Sequence, residues 1–197
     1  MKLFWAPQTR SQRAIWMLEE AGIDYEMARI ALSSPDRVDS AEFLAASPMG
    51  KVPAIVDGDV AMAESAAICI YLADRYASGR LAPALDAKER GKYLYWTMYT
   101  PAVVEPSMSE KFNNVESNRH RSGWGDFDLM IETWDKALEG REWIVADHFT
   151  AADVMLGSSA VFLRTFNMLP ETNNLDAYAD RCVARPAYQR SLEKGAA

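Results

Sequence analysis

The stretch MGKVPAIVDGDVAMAESAAICIYLADRY, residues 49–76, sets Pro53 at the mouth of an apolar run and the pair Glu64-Ser65 where the next helix should begin. Within it, PAIV and VAMA flank Asp57-Gly58-Asp59, and Asp-Gly between apolar runs is the strongest short-range signal for a hairpin. SAAICIYLADRY then carries Ile68, Leu72 and Tyr76 at helical spacing, so the order is strand, strand, helix. Proline cannot donate a ladder hydrogen bond. A cis Val52-Pro53 bond would turn the chain sharply and leave the Val52 N–H and C=O outside the sheet, where an extended peptide could pair with them. A trans proline opening an ordinary strand is the commoner alternative. At the second junction Ser65 reads as an N-cap, and the free N–H groups of the helix favour a carboxylate, while Glu64 could hold an ammonium. The pair suits the zwitterionic end of an amino acid, or else a plain cap beside an exposed acid.

Upstream, KLFW reads as a strand and SQRAIWMLEEAG as a helix, with Ala14, Met17, Leu18 and Ala21 on one face and Gly22 as its stop. YEMARIAL, residues 25–32, returns to extended character, which makes a right-handed βαβ unit. SPDRVDSAEFLAASPMG is punctuated by Pro35, Pro48 and Gly50, with room for one short helix over Ala41 to Ala46. From Ser78 the texture changes, and nothing beyond reads as a strand. The spacing predicts a first domain at 1–77, a linker at 78–85 and an all-helical domain at 86–197. In the latter, Asp86 and Glu89 resemble a capping box opening a helix that Pro101 and Pro106 kink or break. FDLMIETWDKALEG repeats Phe127, Met130, Ile131, Trp134 and Leu138 at helical spacing. FTAADVMLGSSAVFL starts with Thr150 as N-cap, Asp153 three positions on, and a Phe149–Val154 staple. Only the final EKGAA is expected to fray.

Composition narrows the function. The chain has 197 residues, a formal charge of −7 and a pI near 4.9, which argues against nucleic acid or an anionic membrane as partner. The longest apolar run, AAICIYLA, is too short to span a bilayer and the start lacks a secretory signal, so a cytoplasmic protein is expected. Cys69 and Cys182 are the only cysteines and form no C-x-x-C, so any thiol chemistry must use a borrowed thiol. His120 and His148 have no neighbours at ligand spacing, and no metal is expected.

MGKVPAIVDGDVAMAESAAICIYLADRY resembles the glutathione-site half of the cytosolic glutathione transferases, and RGKYLYWTMY, FTAADV and RCVARPAYQR resemble their helical half in the same order. The resemblance covers nearly the whole chain. It implies an α/β thioredoxin-like N-terminal domain followed by an all-α C-terminal domain, a homodimer, and glutathione as co-substrate. Carried over, Val52 pairs with the cysteinyl backbone of glutathione, Pro53 is the cis-proline behind it, Glu64 and Ser65 hold the γ-glutamyl end, and Lys51 lies near the glycyl carboxylate. Independently, Lys51, Arg10, Arg13 and Arg37 all fall in segments near that end of the sheet, where a trianionic peptide would need cations.

The chemical task is to activate the borrowed thiol. Lowering a thiol pKa from about 8.5 by about 2 units takes roughly 2.7 kcal/mol of differential stabilisation. A hydroxyl donor at a helix N-terminus can supply this, and APQTRSQR offers Thr9 and Ser11, with Thr9 the first choice. Either can instead be only a cap. Trp5 stands where other branches of the family carry tyrosine, and the turn holds no cysteine; TRSQR resembles serine- or threonine-type bacterial and fungal members. The second substrate should be a small apolar electrophile, with Trp96 and Tyr99 as the candidate pocket residues. Conjugation is the leading reading. Glutathione-dependent isomerisation or dehalogenation, and a non-catalytic binding protein of the same fold, are the rivals.

Overall fold

In the computed structural model, residues 1–196 are described. The alternation in KLFW decides both faces of the sheet. Strand β1 (Lys2–Trp5) lies parallel to β2 (Glu26–Arg29) and antiparallel to β3 (Ala54–Asp57), and β3 pairs with β4 (Val60–Ala63) in the order β2-β1-β3-β4. Phe4 stands opposite Ala54 and Ala54 opposite Ala63, so these residues share a face. That face packs on Phe43 and Ala46 of α2 (Ala41–Ala46), with the Phe4 and Phe43 ring centroids 5.2 Å apart. Leu3 and Ile55 point to the other face and are fully buried, on the side left to α1 (Ser11–Ala21) and α3 (Ser65–Tyr76), which pack against each other. This is the thioredoxin-like arrangement. The Asp-Gly hairpin forms with Asp57 paired to Val60 and Gly58 at φ 61°, a backbone setting that glycine adopts without steric cost. Helix α1 buries Ala14, Met17 and Leu18, and stops at Gly22, φ 70°, whose N–H donates to the Leu18 carbonyl.

Two compact units result, Met1–Leu81 with Ala184–Ala197, and Ala82–Val183. The second contains α4 (Arg90–Tyr99), α5 (Glu105–Phe112), α6 (Phe127–Ala137), α7 (Ala151–Thr165) and α8 (Asn173–Val183). Asp86 and Glu89 form no capping box: Asp86 lies in a turn, and Glu89 is itself the N-cap of α4, making no side-chain cap bond while its carbonyl accepts from the Tyr93 N–H. Nor do the two prolines break the chain's helical course. A π-helical turn over Thr100–Val104, in which the Glu105 N–H reaches back to the Thr100 carbonyl, carries α4 into α5, a widened turn of the kind that absorbs local insertions. Phe127, Met130, Ile131, Trp134 and Leu138 are all buried, as their spacing predicts.

The start of α7 is fixed by a buried carboxylate. Asp153 accepts from the Thr150 N–H (2.9 Å), the Thr150 hydroxyl (3.0 Å), the Ile144 N–H (3.0 Å) and the Tyr178 hydroxyl (2.9 Å). Burial holds its carboxyl above the ordinary aspartate value, and these four donors offset only part of that rise.

The final helix α9 (Pro186–Gly195) is ordered through Gly195, against the expectation of a frayed EKGAA; Ala197 lies outside the described residues. It packs on α1 of the first unit, although the spacing grouped everything from residue 86 together. Trp16 meets Tyr188 edge-on at 4.8 Å, Arg185 forks onto Glu20 at 2.5 and 2.8 Å, and Glu19 takes Arg190 at 2.9 Å and Lys194 at 2.5 Å. Among the described residues no helix is long and apolar enough to cross a membrane.

Two outcomes are expected. Asp153→Ala leaves two buried N–H groups unpaired and should lower the urea-measured stability by about 3 kcal/mol or more, with Asp153→Asn costing less; equal stability of Asp153→Ala and wild type would contradict this account. For Glu19, burial raises the carboxyl, but hydrogen bonds from Lys194, Arg190 and Tyr25 outweigh it and hold the group below its ordinary value. A lowered folded-state carboxyl stabilises above the unfolded value, about 4.3, and that gain is lost as pH falls through the folded value. The stability gap between wild type and Glu19→Gln should therefore be widest near neutrality and close on acidification below about pH 4.3. A gap that is independent of pH would overturn it.

Candidate functional site

Strand direction gathers the site. The C-terminal ends of β1, β2 and β4 and the start of β3 lie at one end of the sheet, so the N-termini of α1 and α3 open there as well.

The loop leading to β3 is tied from two sides. Ser47, buried, donates its hydroxyl to the Lys51 carbonyl (2.7 Å) and accepts from the Lys51 N–H (3.0 Å). Arg37 forks onto Asp39 at 2.6 and 2.7 Å and donates to the Gly50 carbonyl at 2.7 Å. Gly50 has φ 63°, and a Cβ there would come 3.2 Å from the Arg37 guanidinium. Arg37, read from sequence as a cation near a ligand, is thus committed to shaping this loop. Beyond the loop the Val52-Pro53 peptide is cis, and β3 begins only at Ala54. The Val52 N–H and C=O have no hydrogen-bond partner among the described residues. Lys51 is exposed.

At the second junction the structure corrects the sequence reading. Ser65 is not the N-cap but the first helical residue; the cap position belongs to Glu64, which makes no side-chain cap bond. Glu64 is exposed and sits at φ 72°, ψ 116°, a setting that costs a non-glycine residue about 1–3 kcal/mol and recurs at ligand clamps. Ser65 is buried, and its hydroxyl lies 3.4 Å from the guanidinium of Arg13, itself buried in α1. A buried cation beside the positive end of α3 concentrates positive potential where the helix N–H groups open.

The first turn of α1 carries the hydroxyl pair. Thr9 Oγ1 donates to the Ala6 carbonyl at 2.7 Å, accepts from the Ser11 N–H at 3.1 Å, and stands 2.9 Å from Ser11 Oγ. Ser11 Oγ accepts from the Ala6 N–H at 3.3 Å. Ser11 is fully buried and Thr9 half-buried. Arg10 occupies the N-cap position between them with its side chain exposed and making no cap bond. Gln8, just before, has φ 57°.

Residues 9–75 match the family model described as glutathione S-transferase, N-terminal domain. Glutathione S-transferase GstA of Escherichia coli O157:H7 is 24% identical over 98% of this chain and 97% of its own length. A glutathione transferase family member from Pseudomonas fluorescens Pf-5, solved with two glutathione bound, is 30% identical, with a TM-score of 0.73 over 98% of this chain and 92% of that one. The disulfide-bond oxidoreductase YfcG of Escherichia coli K12 is 26% identical over 77% of this chain and 75% of its own length. The chain belongs to the cytosolic glutathione transferase superfamily.

In the helical unit of this glutathione transferase, the two residues expected to line an electrophile pocket lie in its packed interior. Trp96 and Tyr99 are both buried, 4.9 Å apart ring to ring, and the Tyr99 hydroxyl is spent on the Met130 carbonyl at 3.1 Å. Burial pushes that hydroxyl up to about 12. The exposed rings are others. Phe162 and Phe166 near the end of α7 stack with centroids 4.5 Å apart, and Phe112 at the end of α5 meets Phe166 at 6.5 Å. All three are exposed, Phe112 by 65%. The i, i+4 spacing of Phe162 and Phe166 was legible in the sequence; that the pair faces solvent was not.

The loop geometry gives a test that separates charge from shape. Arg37→Lys keeps the charge but loses the fork, so it should destabilise nearly as much as Arg37→Ala, by about 1–2 kcal/mol in urea unfolding. An Arg37→Lys protein as stable as wild type would mean that charge alone suffices.

Proposed function

We propose that this protein binds glutathione at the end of the first sheet, holds its sulfur as a thiolate, and directs it at the carbon of a small apolar electrophile. The observation that carries the reading is the convergence there of the Thr9–Ser11 hydroxyl pair, the unpaired Val52 backbone and the open N-terminus of α3. In this reading the cysteinyl backbone pairs with Val52 ahead of Pro53, the γ-glutamyl carboxylate takes Ser65 and the α3 N–H groups, and Glu64 receives its ammonium. Lys51 and Arg10, both exposed cations near that end, attract the glycyl carboxylate. In this reading residues 1–77 supply the glutathione half of the chemistry and the helical domain supplies apolar surface for the electrophile, where Phe112, Phe162 and Phe166 are exposed and Trp96 and Tyr99 are buried.

Thr9 faces the sulfur in this reading, because Ser11 is wholly buried. Either hydroxyl can donate across the 2.9 Å between them. When the Thr9 hydroxyl hydrogen turns from the Ala6 carbonyl to the sulfur, Ser11 donates to Thr9 and itself accepts from the Ala6 N–H, a chain in which each bond polarises the next. The thiol proton leaves to solvent, the sulfur–carbon bond forms, and with an aromatic halide the carbon–halogen bond breaks and halide departs. Proximity and a lowered thiol pKa are the two rate terms.

The likeness to a disulfide-bond oxidoreductase favours no cysteine chemistry in this chain. Cys69 and Cys182 are both buried, and burial pushes the Cys69 thiol up to about 12. Isomerisation and dehalogenation would use the same bound thiolate, and product analysis separates them from conjugation; a binding-only protein would retain glutathione without turnover. We also propose a homodimer in the cytoplasm, to be checked by sedimentation at low concentration and by fractionation.

With glutathione and an aromatic halide, Thr9→Ala should lower kcat/KM by about 10²-fold and Thr9→Ser should keep most of it, since one lost donor to a developing anion costs about that much. Ser11→Ala should lower it by less. If neither alanine variant slows the reaction, the hydroxyls do not activate the thiol.

A further inference from the structure

The first turn of α1 is held from behind by Gln12, a residue to which the proposed function gives no ligand contact. The Gln12 N–H donates to the Thr9 carbonyl at 3.2 Å, which closes the turn carrying Thr9 and Ser11. Its side chain leaves in the other direction and donates to Ser191 Oγ of α9 at 2.7 Å. Ser191 is fully buried, and its one hydroxyl hydrogen goes to the Tyr188 carbonyl at 2.6 Å. Ser191 can therefore only accept from Gln12, and this fixes which way the amide points. Its oxygen is then turned to Gly195, where a Cβ would come within 2.6 Å of Oε1. Glycine at the end of α9 leaves the notch into which the amide fits. The helix behind it is anchored independently by Arg185 on Glu20, by Arg190 and Lys194 on Glu19, and by the Trp16–Tyr188 contact.

We infer that Gln12 is a positioning residue for the Thr9–Ser11 hydroxyl pair, and that the C-terminal helix, through Ser191 and the Gly195 notch, is part of the apparatus that aims this pair at a bound thiol. The inference rests on the proposed glutathione reading. Ordinary helix packing would be served by any apolar side chain at position 12. An amide of fixed direction, bonded to Ser191 at one end, seated against Gly195 at the other and carried by the residue that closes the turn, instead fixes the rotation of that turn about the α1 axis. Displacements of an ångström at a reacting group cost about 10²-fold, so small rotations of this turn matter more for chemistry than for stability.

The test titrates glutathione bound to the full-length protein by the ultraviolet absorbance of its thiolate, alongside calorimetric affinity and the pH dependence of kcat/KM. The variants are Gln12→Glu, which keeps the shape but loses the donor, Ser191→Ala, which removes the acceptor, and Gly195→Ala, which fills the notch. Each should raise the midpoint of thiolate formation by about one unit, a tenfold loss of thiolate below it, with glutathione affinity, measured about one unit below the wild-type midpoint where the thiol form binds, within about twofold of wild type because Val52 and Ser65 are untouched. If wild type lowers the thiol midpoint and all three folded variants keep it lowered, the inference is overturned while the functional reading stands. If wild type itself leaves the midpoint at the value of free glutathione, thiol activation by Thr9 and Ser11 fails, and the inference fails with it. Measuring three variants keeps the answer available should one not fold.

Discussion

The parallel pairing of β1 with β2 governs the rest of the first unit. A parallel pair needs a crossover, and here α1 makes it, so the N-terminus of α1 must open at the end of the sheet where β1 finishes. The antiparallel β3 must then start at that same end, and the Asp-Gly hairpin returns β4 to it. Two helix N-termini and one strand entrance meet at one edge because strand directions leave them nowhere else to go. Helix N-termini are electropositive and rich in unpaired N–H groups, so this topology makes an anion-attracting rim on a chain whose net charge is −7. The acidic whole and the receptive edge are compatible, because potential near a surface is set by the nearest charges and dipoles, with distant ones screened.

Around that rim most polar groups serve the backbone before they serve a ligand. Ser47 and Arg37 hold the loop ahead of Val52, Asp39 holds Arg37, and Ala6 holds both Thr9 and Ser11. What they leave open is backbone: the Val52 edge and the first turn of α3. Recognition through main-chain groups needs a rigid frame, since an unpaired N–H in a mobile loop would find water or another carbonyl. The strained Glu64 and the buried Arg13 belong to the same economy, one presenting a carboxylate outward and the other lending positive charge from below.

The second unit is built on a different constraint. Its most specified point is the Asp153 carboxylate, which ties the start of α7 to Ile144 and to Tyr178 on α8 through four accepted hydrogen bonds. A buried charge with its partners all in place is expensive to disturb from any side, so three segments are fixed by one side chain. The π-helical turn at Thr100–Val104 achieves a local result by backbone means: it carries the helical course past Pro101 and Pro106, two residues expected to kink or break it.

Signals that act within a few residues were readable from the chain alone. The proline before β3, the Asp-Gly hairpin, the helical spacing of α1 and α6, the short α2 and the capping box of α7 all depend on local sterics and nearest hydrogen bonds, and all appear where the residues put them. So did the meeting of Thr9 and Ser11 at a helix start. Tertiary structure alone decided the rest. Ser65 lost the cap position to Glu64 because the chain arrives from β4 at a positive φ. Arg37 and Gly50 became neighbours across a loop, Trp96 and Tyr99 turned inward while Phe112, Phe162 and Phe166 turned out, and α9 returned to α1 through charges far apart in sequence. The physical reason is common to these cases: the direction of a side chain and the partner of a charge depend on which surfaces meet after the chain folds, and no window of ten residues contains that information.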